Sequence, residues 1–109
     1  MLFRSHKENS DNKHIPRFLS TQLNQKEWQT LFDAVKDEGL LTMCTPFDNA
    51  SVPIITDMGF DIIKVASCSA KDWPLLEDIS FSSLPVIAST GGLKISDIDN
   101  LVKIGRAHV

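Results

Sequence analysis

Apolar positions in the first half of the chain recur with the period of a helix. Between residues 24 and 39, four apolar side chains fall on one helical face: Trp28, Leu31, Phe32 and Val35. Asn24, with Glu27 three residues later, has the pattern of a capping box, and Gly39 suits the position just after a helix end. The pattern therefore predicts an amphipathic helix with one buried face.

Three short apolar runs follow this helix, at residues 40–45, 60–67 and 84–90. Each run is bounded by turn-forming residues and contains few polar side chains, which predicts strands that are buried on both faces. The start of the chain is different, because it is polar and shows no period. We expect residues 1–20 to be a loop or a frayed end.

A helix is predicted after each of the three strands. The first of these has Pro53 in its opening turn and Gly59 at its end, where each residue type is tolerated. Asp72 is the predicted N-cap of the next helix, and Ser96 is the predicted N-cap of the last. The order α-β-α-β-α-β-α is typical of helices packed over a parallel sheet.

Two architectures have this order, a doubly wound open sheet and a (β/α)8 barrel. Three strands complete neither of them, since a full barrel takes roughly 250 residues and this chain has 109. We therefore expect residues 21–103 to form part of a larger α/β domain.

Composition argues against several classes of partner. The net charge is −3 without a basic cluster, so we expect neither nucleic acid nor an anionic membrane as a partner. No apolar run could span a bilayer and the N-terminus lacks a signal-peptide core, so we expect a cytoplasmic protein.

In such a protein, Cys44 and Cys68 are expected to be reduced, buried thiols. His6, His14 and His108 are scattered outside the strands, and we expect no metal site from them.

Polar side chains collect where each predicted strand ends. Hydroxyl groups and one ammonium occupy these places: Thr45 after the first strand, Lys64 and Ser67 with the second, Ser89 and Thr90 with the third. In both architectures ligands bind at the carboxyl ends of the strands. Hydroxyls, an ammonium and the backbone N–H groups of the glycines that follow suit a phosphate or a carboxylate.

Lys64 is unexpected in an apolar strand, and three interpretations are open from the residues alone. An edge strand can carry a lysine that prevents pairing with other chains. A lysine can also extend its ammonium to water along an apolar surface. The third interpretation is a Schiff-base lysine, which is found inside apolar strands. The glycine patterns of the common nucleotide-binding loops are absent from the sequence.

Three segments, "TPFDNASV", "IKVASCSAKDWPLL" and "PVIASTGG", resemble the sialic acid synthase family, whose members make N-acetylneuraminic, legionaminic or pseudaminic acids. That family shows Thr-Pro-Phe, then Lys-Ile-(Ala/Gly)-Ser, then Leu-Ser-Thr-Gly-Met, in this order and at similar intervals. Residues 17 to 102 follow the pattern. The sequence departs from it at Cys68, where glycine is frequent, and at Gly92, where methionine is usual.

The resemblance implies a TIM barrel, of which this chain holds strands three, four and five of eight. It implies an enzyme, usually a homodimer, that condenses phosphoenolpyruvate with an N-acetylated amino sugar to give a nonulosonic acid and phosphate. A divalent metal, manganese or magnesium, assists the reaction in the family, and its ligands are absent from this chain. By position, the residues expected to contact phosphoenolpyruvate are Thr45, Lys64, Ser67, Ser89 and, as a neighbour, Thr90.

The last residues, "IGRAHV", break the family pattern inside a predicted helix. They can be encoded by ATC-GGA-AGA-GCA-CAC-GTC, which resembles a sequencing adapter, so we expect residues 104–109 to be a non-native tail. We also expect the chain to be an inactive fragment of its enzyme. Two alternatives remain open: another aldolase or synthase barrel that uses phosphoenolpyruvate or a keto acid, and a non-catalytic α/β module that binds an anion.

Overall fold

A computed structural model describes residues 12–107, which form helices alternating with short strands as predicted. The elements, in chain order, are α1 (Ile15–Ser20), α2 (Gln25–Asp37), β1 (Met43–Cys44), α3 (Ser51–Met58), β2 (Ile62–Val65), a 3-10 turn (Ser67–Ser69), α4 (Trp73–Phe81), β3 (Val86–Ala88) and α5 (Ile95–Ala107). The predicted α/β class is confirmed.

Local capping signals place most helix ends where they were predicted. At the start of α2, the Asn24 side chain accepts from the Glu27 N–H at 2.9 Å, and the Glu27 carboxylate accepts from the Asn24 N–H at 2.7 Å. Gly59 ends α3 with a φ of 91°, a conformation that disfavours residues with a Cβ. At the start of α4, the Asp72 carboxylate accepts from the Leu75 N–H at 3.2 Å.

Two predictions near the helix ends are wrong. Residues 15–20 form α1 rather than a loop, and the part of that prediction that covers residues 1–11 lies outside the described residues. Pro16 is in the first turn of α1, where a backbone N–H has no partner within the helix. Ser96 does not cap α5, which begins one residue earlier. The carboxylate of Asp97 instead accepts from the Lys94 N–H at 3.1 Å, so an acidic side chain inside the first turn bonds the backbone just before it.

The end of the chain continues α5 as far as Ala107. Ile104 is half-buried and packs against the core. The interpretation of residues 104–109 as a non-native tail stays a prediction, and its last two residues lie outside the part that the structure describes.

The three strands form one parallel sheet in the order β1-β2-β3. Neighbouring strands in the sheet are thus consecutive in the sequence. This order occurs in a (β/α)8 barrel and also within each half of a doubly wound sheet, so it agrees with both predicted architectures. Since β2 is the central strand, the interpretation of Lys64 as an edge-strand lysine is wrong.

The sheet has two unlike faces. On the helix-covered face, Cys44, Ile63 and Val65 are buried and pack with apolar side chains of α3 and α4. On the other face, which we call the open face, Met43 is 51% exposed and Ile87 is 49% exposed. The buried apolar side chains of the described residues form one cluster on the helix-covered face, whereas both faces of a complete barrel sheet are covered.

An ion pair anchors the amino-terminal end of the sheet. One carboxylate oxygen of Asp61 accepts from Lys36 Nζ at 2.6 Å and from the N–H and hydroxyl of Thr42 at 2.8 and 2.9 Å. The Lys36 ammonium and the Thr42 backbone N–H lower the pKa of Asp61 from 3.8 to about 2. This network joins α2, β1 and β2 at the end of the sheet opposite the predicted site.

Candidate functional site

The carboxyl ends of the three strands bring the predicted site residues to one edge of the sheet. Cys44 lies opposite Ile63, and Lys64 lies opposite Ile87. Successive side chains of a strand point to opposite faces, so Lys64 belongs to the open face rather than with its buried neighbours in β2. By the same alternation Thr45, one residue past Cys44, belongs to the face of Lys64.

Ser89 extends this arrangement to the third strand. Its N–H donates to the Val65 carbonyl at 3.0 Å, so the parallel ladder continues one residue past β3. Alternation from Ala88 then places Ser89 on the open face. The structure thus brings Thr45, Lys64 and Ser89 to the same face at the same end of three adjacent strands.

Lys64 is half-buried on this face and has no acidic partner in the described chain. Residues 12–107 form two ion pairs, Lys36–Asp61 and Lys71–Asp97, and Lys64 takes part in neither. A partly desolvated ammonium without a counter-charge is unfavourable in a folded protein. An anion bound at the open face would supply that counter-charge.

The turns after β2 and β3 meet beside these strand ends. Ser67 opens the 3-10 turn and is exposed. A Cβ placed on Gly91 would lie 3.9 Å from the Cβ of Ser67, so the two turns are in close contact. In the turn after β3, Leu93 N–H donates to the Thr90 carbonyl at 3.1 Å, and Gly92 has a φ of 77° that favours glycine. Ser67 and Thr90 therefore lie on neighbouring turns.

The loop after β1 is fixed by contacts that sequence reasoning did not find. Asp48 accepts from the N–H and hydroxyl of Ser51 at 2.8 and 2.6 Å, so its carboxylate bonds the first residue of α3. The side-chain amide of Asn49 donates to Asp78 of α4 at 2.5 Å. These bonds hold the segment that follows Thr45 against two helices.

The two cysteines differ, and one expectation about them is wrong. Both are free thiols, and Cys44 is buried, which raises its pKa because burial disfavours the thiolate. Cys68 is exposed instead of buried, since it lies on the outer side of the 3-10 turn while Ser69 and Ala70 face the core. Its sulfur lies 3.9 Å from the Ser69 hydroxyl. The residue where the family often has glycine is therefore at the surface, next to Ser67.

A second ion pair, which the sequence analysis missed, joins the segments that follow the two turns. Lys71 Nζ lies 3.3 Å from the Asp97 carboxylate. The Lys94 N–H is the main cause that lowers the pKa of Asp97, and Lys71 lowers it further. The spacing of Asp97 from Lys94 is a local signal that could have been read as a cap. The pairing with Lys71 depends on the packing of α5 and has no signal in the sequence.

Neither a metal-binding cluster nor a membrane-spanning helix is found among the described residues. Within residues 12–107, no group of three or more His, Cys, Asp and Glu side chains is placed to hold a metal ion. His14 is exposed at the start of α1, and His6 and His108 lie outside the described residues. None of the helices described has both the length and the apolar character needed to cross a bilayer.

Comparison with known proteins gives matches over nearly all of the chain. A sequence model of the NeuB family matches residues 2–108. A crystal structure of a Chromobacterium violaceum protein named as spore coat polysaccharide biosynthesis protein E is 46% identical, with a TM-score of 0.85; it matches 89% of this chain and 29% of that one.

Two further relatives carry the names of synthases. The N-acetylneuraminic acid (sialic acid) synthetase of Leptospira borgpetersenii, solved with citrate, is 29% identical with a TM-score of 0.81; 92% of this chain matches 35% of that one. The N,N'-diacetyllegionaminic acid synthase of Campylobacter jejuni is 24% identical over 95 residues, or 87% of this chain. The chain spans 28% of the length of the curated relatives that it matches.

Proposed function

The chain belongs to the NeuB family, and from this premise we propose that it carries the phosphoenolpyruvate-binding strands of a nonulosonic acid synthase. The observation that carries the proposal is the position of Lys64. This ammonium lies on the central strand, on the open face, and outside both ion pairs of the described chain. Synthases are named among the relatives, and a synthase that uses phosphoenolpyruvate needs cationic and hydroxyl groups for a phosphate and a carboxylate.

In this proposal the strand ends divide the anion between them. Lys64 donates a charge-assisted hydrogen bond from the centre of the site, and the hydroxyls of Thr45 and Ser89 donate from the flanking strands. Ser67 and the neighbouring Thr90 contribute from the two adjoining turns. The backbone of each donor is held by a strand end or a short turn, so the main chain need not be ordered when the anion binds.

The proposed reaction joins the methylene carbon of phosphoenolpyruvate to the aldehyde carbon of an N-acetylated amino sugar. Water supplies the oxygen of the new keto group, and inorganic phosphate leaves, so that atoms balance. No group of three or more His, Cys, Asp and Glu side chains among the described residues is placed to hold a metal ion; we propose that a manganese or magnesium ion binds to residues of the full-length protein outside this segment. We also propose a cytoplasmic homodimer that acts on small molecules and binds neither nucleic acid nor membranes.

Phosphoenolpyruvate titration of the full-length gene product tests the proposal. We expect Lys64→Ala to raise the dissociation constant for phosphoenolpyruvate by roughly ten-fold or more, because a hydrogen bond from a charged group is worth about 1.5–3 kcal/mol. Lys36→Ala is the matched control, since Lys36 is also a partly exposed lysine but lies at the other end of the sheet. It should lower stability and leave the affinity unchanged. Unchanged affinity in Lys64→Ala would remove this residue from the site.

Borohydride trapping separates the synthase from a Schiff-base aldolase. Both would use Lys64, but only the aldolase forms an imine that borohydride reduces to a stable adduct. We expect no mass increase on the peptide that contains Lys64 after incubation with pyruvate and borohydride. An adduct on that peptide would refute the synthase and support the aldolase. The 109-residue chain alone should show no synthase activity when phosphate release from phosphoenolpyruvate is measured in the presence of the amino sugar.

A further inference from the structure

The Lys71–Asp97 ion pair spans the two turns that the proposed site uses. Lys71 follows the 3-10 turn that begins at Ser67, and Asp97 lies in the first turn of α5. Their charged groups are 3.3 Å apart. The same two segments also approach each other at Ser67 and Gly91, where a Cβ on Gly91 would lie 3.9 Å from the Ser67 Cβ. The ion pair therefore connects the backbone segments on either side of the proposed anion-binding turns.

A second contact holds the Asp97 carboxylate, so its ion pair with Lys71 fixes the position of one turn relative to the other. The carboxylate oxygen that faces Lys71 also accepts from the Lys94 N–H at 3.1 Å, and the Asp97 side chain is only 20% exposed. Leu93, just before this bond, packs against the core. The turn from Ser89 to Gly92 is thus attached at its end to a fixed carboxylate.

The Lys71 end is fixed by its neighbours along the chain. The Lys71 carbonyl accepts from the Trp73 N–H at 3.0 Å, and Asp72 caps α4. The Asp72 N–H in turn donates to the Ser69 carbonyl at 3.0 Å, within the turn that begins at Ser67. A displacement of the Lys71 backbone would therefore also displace the turn that carries Ser67.

We propose that Lys71 and Asp97 are positioning residues that hold the Ser67 turn and the Ser89–Gly92 turn at the separation needed to contact one anion. The proposal rests on the proposed function, because it assigns these turns to the phosphoenolpyruvate site. The two residues do not donate to the anion themselves. They act by keeping the donors of two different strands within reach of the same ligand.

The chain contains a matched control for this ion pair. Lys36–Asp61 also joins a lysine to an aspartate that bonds backbone, but it lies at the amino-terminal end of the sheet. Loss of either pair should lower stability. Only loss of Lys71–Asp97 should change how the protein binds phosphoenolpyruvate.

Steady-state kinetics and phosphoenolpyruvate titration of the full-length gene product test the proposal. The variants are Lys71→Gln, Asp97→Asn and the double variant; Asp97→Asn keeps an oxygen that can accept from the Lys94 N–H. We expect each single change to raise KM and Kd for phosphoenolpyruvate by about two- to five-fold, the range for a partly exposed ion pair. The KM for the amino sugar should not change. Lys71→Arg keeps the positive charge and should keep the wild-type KM for phosphoenolpyruvate.

The double variant and the control decide between outcomes. The double variant should be no worse than the single variants, since each removes the same interaction. Asp61→Asn should lower the melting temperature and leave both KM values unchanged. If Lys71→Gln weakens binding while Asp97→Asn does not, Lys71 contacts the anion directly and the positioning proposal is overturned. It is also overturned if all variants keep the wild-type KM. Wild-type protein that binds no phosphoenolpyruvate would instead refute the proposed function.

Discussion

Ile63 and Ile87 are a pair of isoleucines on adjacent strands whose substitution tests the two-faced sheet. Ile63 is 0% exposed on the helix-covered face, and Ile87 is 49% exposed on the open face. Substitution by alanine removes the same three carbons from each. The two changes therefore differ in environment and not in chemistry.

The expected losses follow from that difference in burial. At Ile63, three buried carbons at about 0.8 kcal/mol each, plus the cavity left among α3 and α4, lower the free energy of unfolding by about 3–4 kcal/mol. At Ile87, about half of that transfer free energy is lost without a closed cavity, which gives about 1 kcal/mol. Ile63→Val should cost about 1 kcal/mol, as expected for one methylene in a packed site.

Urea unfolding of the 109-residue chain, followed by far-UV circular dichroism at low protein concentration, measures these losses. The slope with urea should be the same for all variants, so that shifts of the midpoint report stability. Equal losses for Ile63→Ala and Ile87→Ala would refute the two-faced sheet, because they would show that the open face is covered. A loss below about 1 kcal/mol for Ile63→Ala would refute the assignment of β2 to the centre of the core.

Three further predictions concern local features. Asn24→Ala removes the side-chain half of the capping box of α2 and should lower the free energy of unfolding by about 1 kcal/mol in the same urea assay. Asp61 has a folded pKa of about 2, below its usual 3.8, so its contribution to stability is present above pH 4 and is lost as the pH falls towards 2. Asp61→Asn should make the melting temperature depend less on pH over that range, and an unchanged pH dependence would contradict the network. Cys68 should react with a thiol reagent within the dead time of manual mixing while Cys44 stays protected until unfolding, and equal rates would contradict their placement.

Features that depend on a few neighbouring residues were predictable from the sequence. The capping box of α2, the end of α3 at Gly59 and the cap at Asp72 all rest on hydrogen bonds or backbone angles within three or four positions. The same locality explains the error at Ser96. A serine and an aspartate one position apart both suit a helix start, and the bond from Lys94 to Asp97 decided between them.

Three features could be read from the sequence: the alternation of helices and strands, the set of polar residues that follow the strands, and the family whose strand ends they resemble. Three other features depend on the tertiary structure: β2 is central, Lys64 lies on the open face without an acidic partner among the described residues, and Lys71 pairs with Asp97. Periodicity and capping arise from contacts between near neighbours in the chain, so they can be read from it. Strand order, the environment of a charge and pairing over long separations depend on how distant segments pack, and that is settled only when the whole core forms.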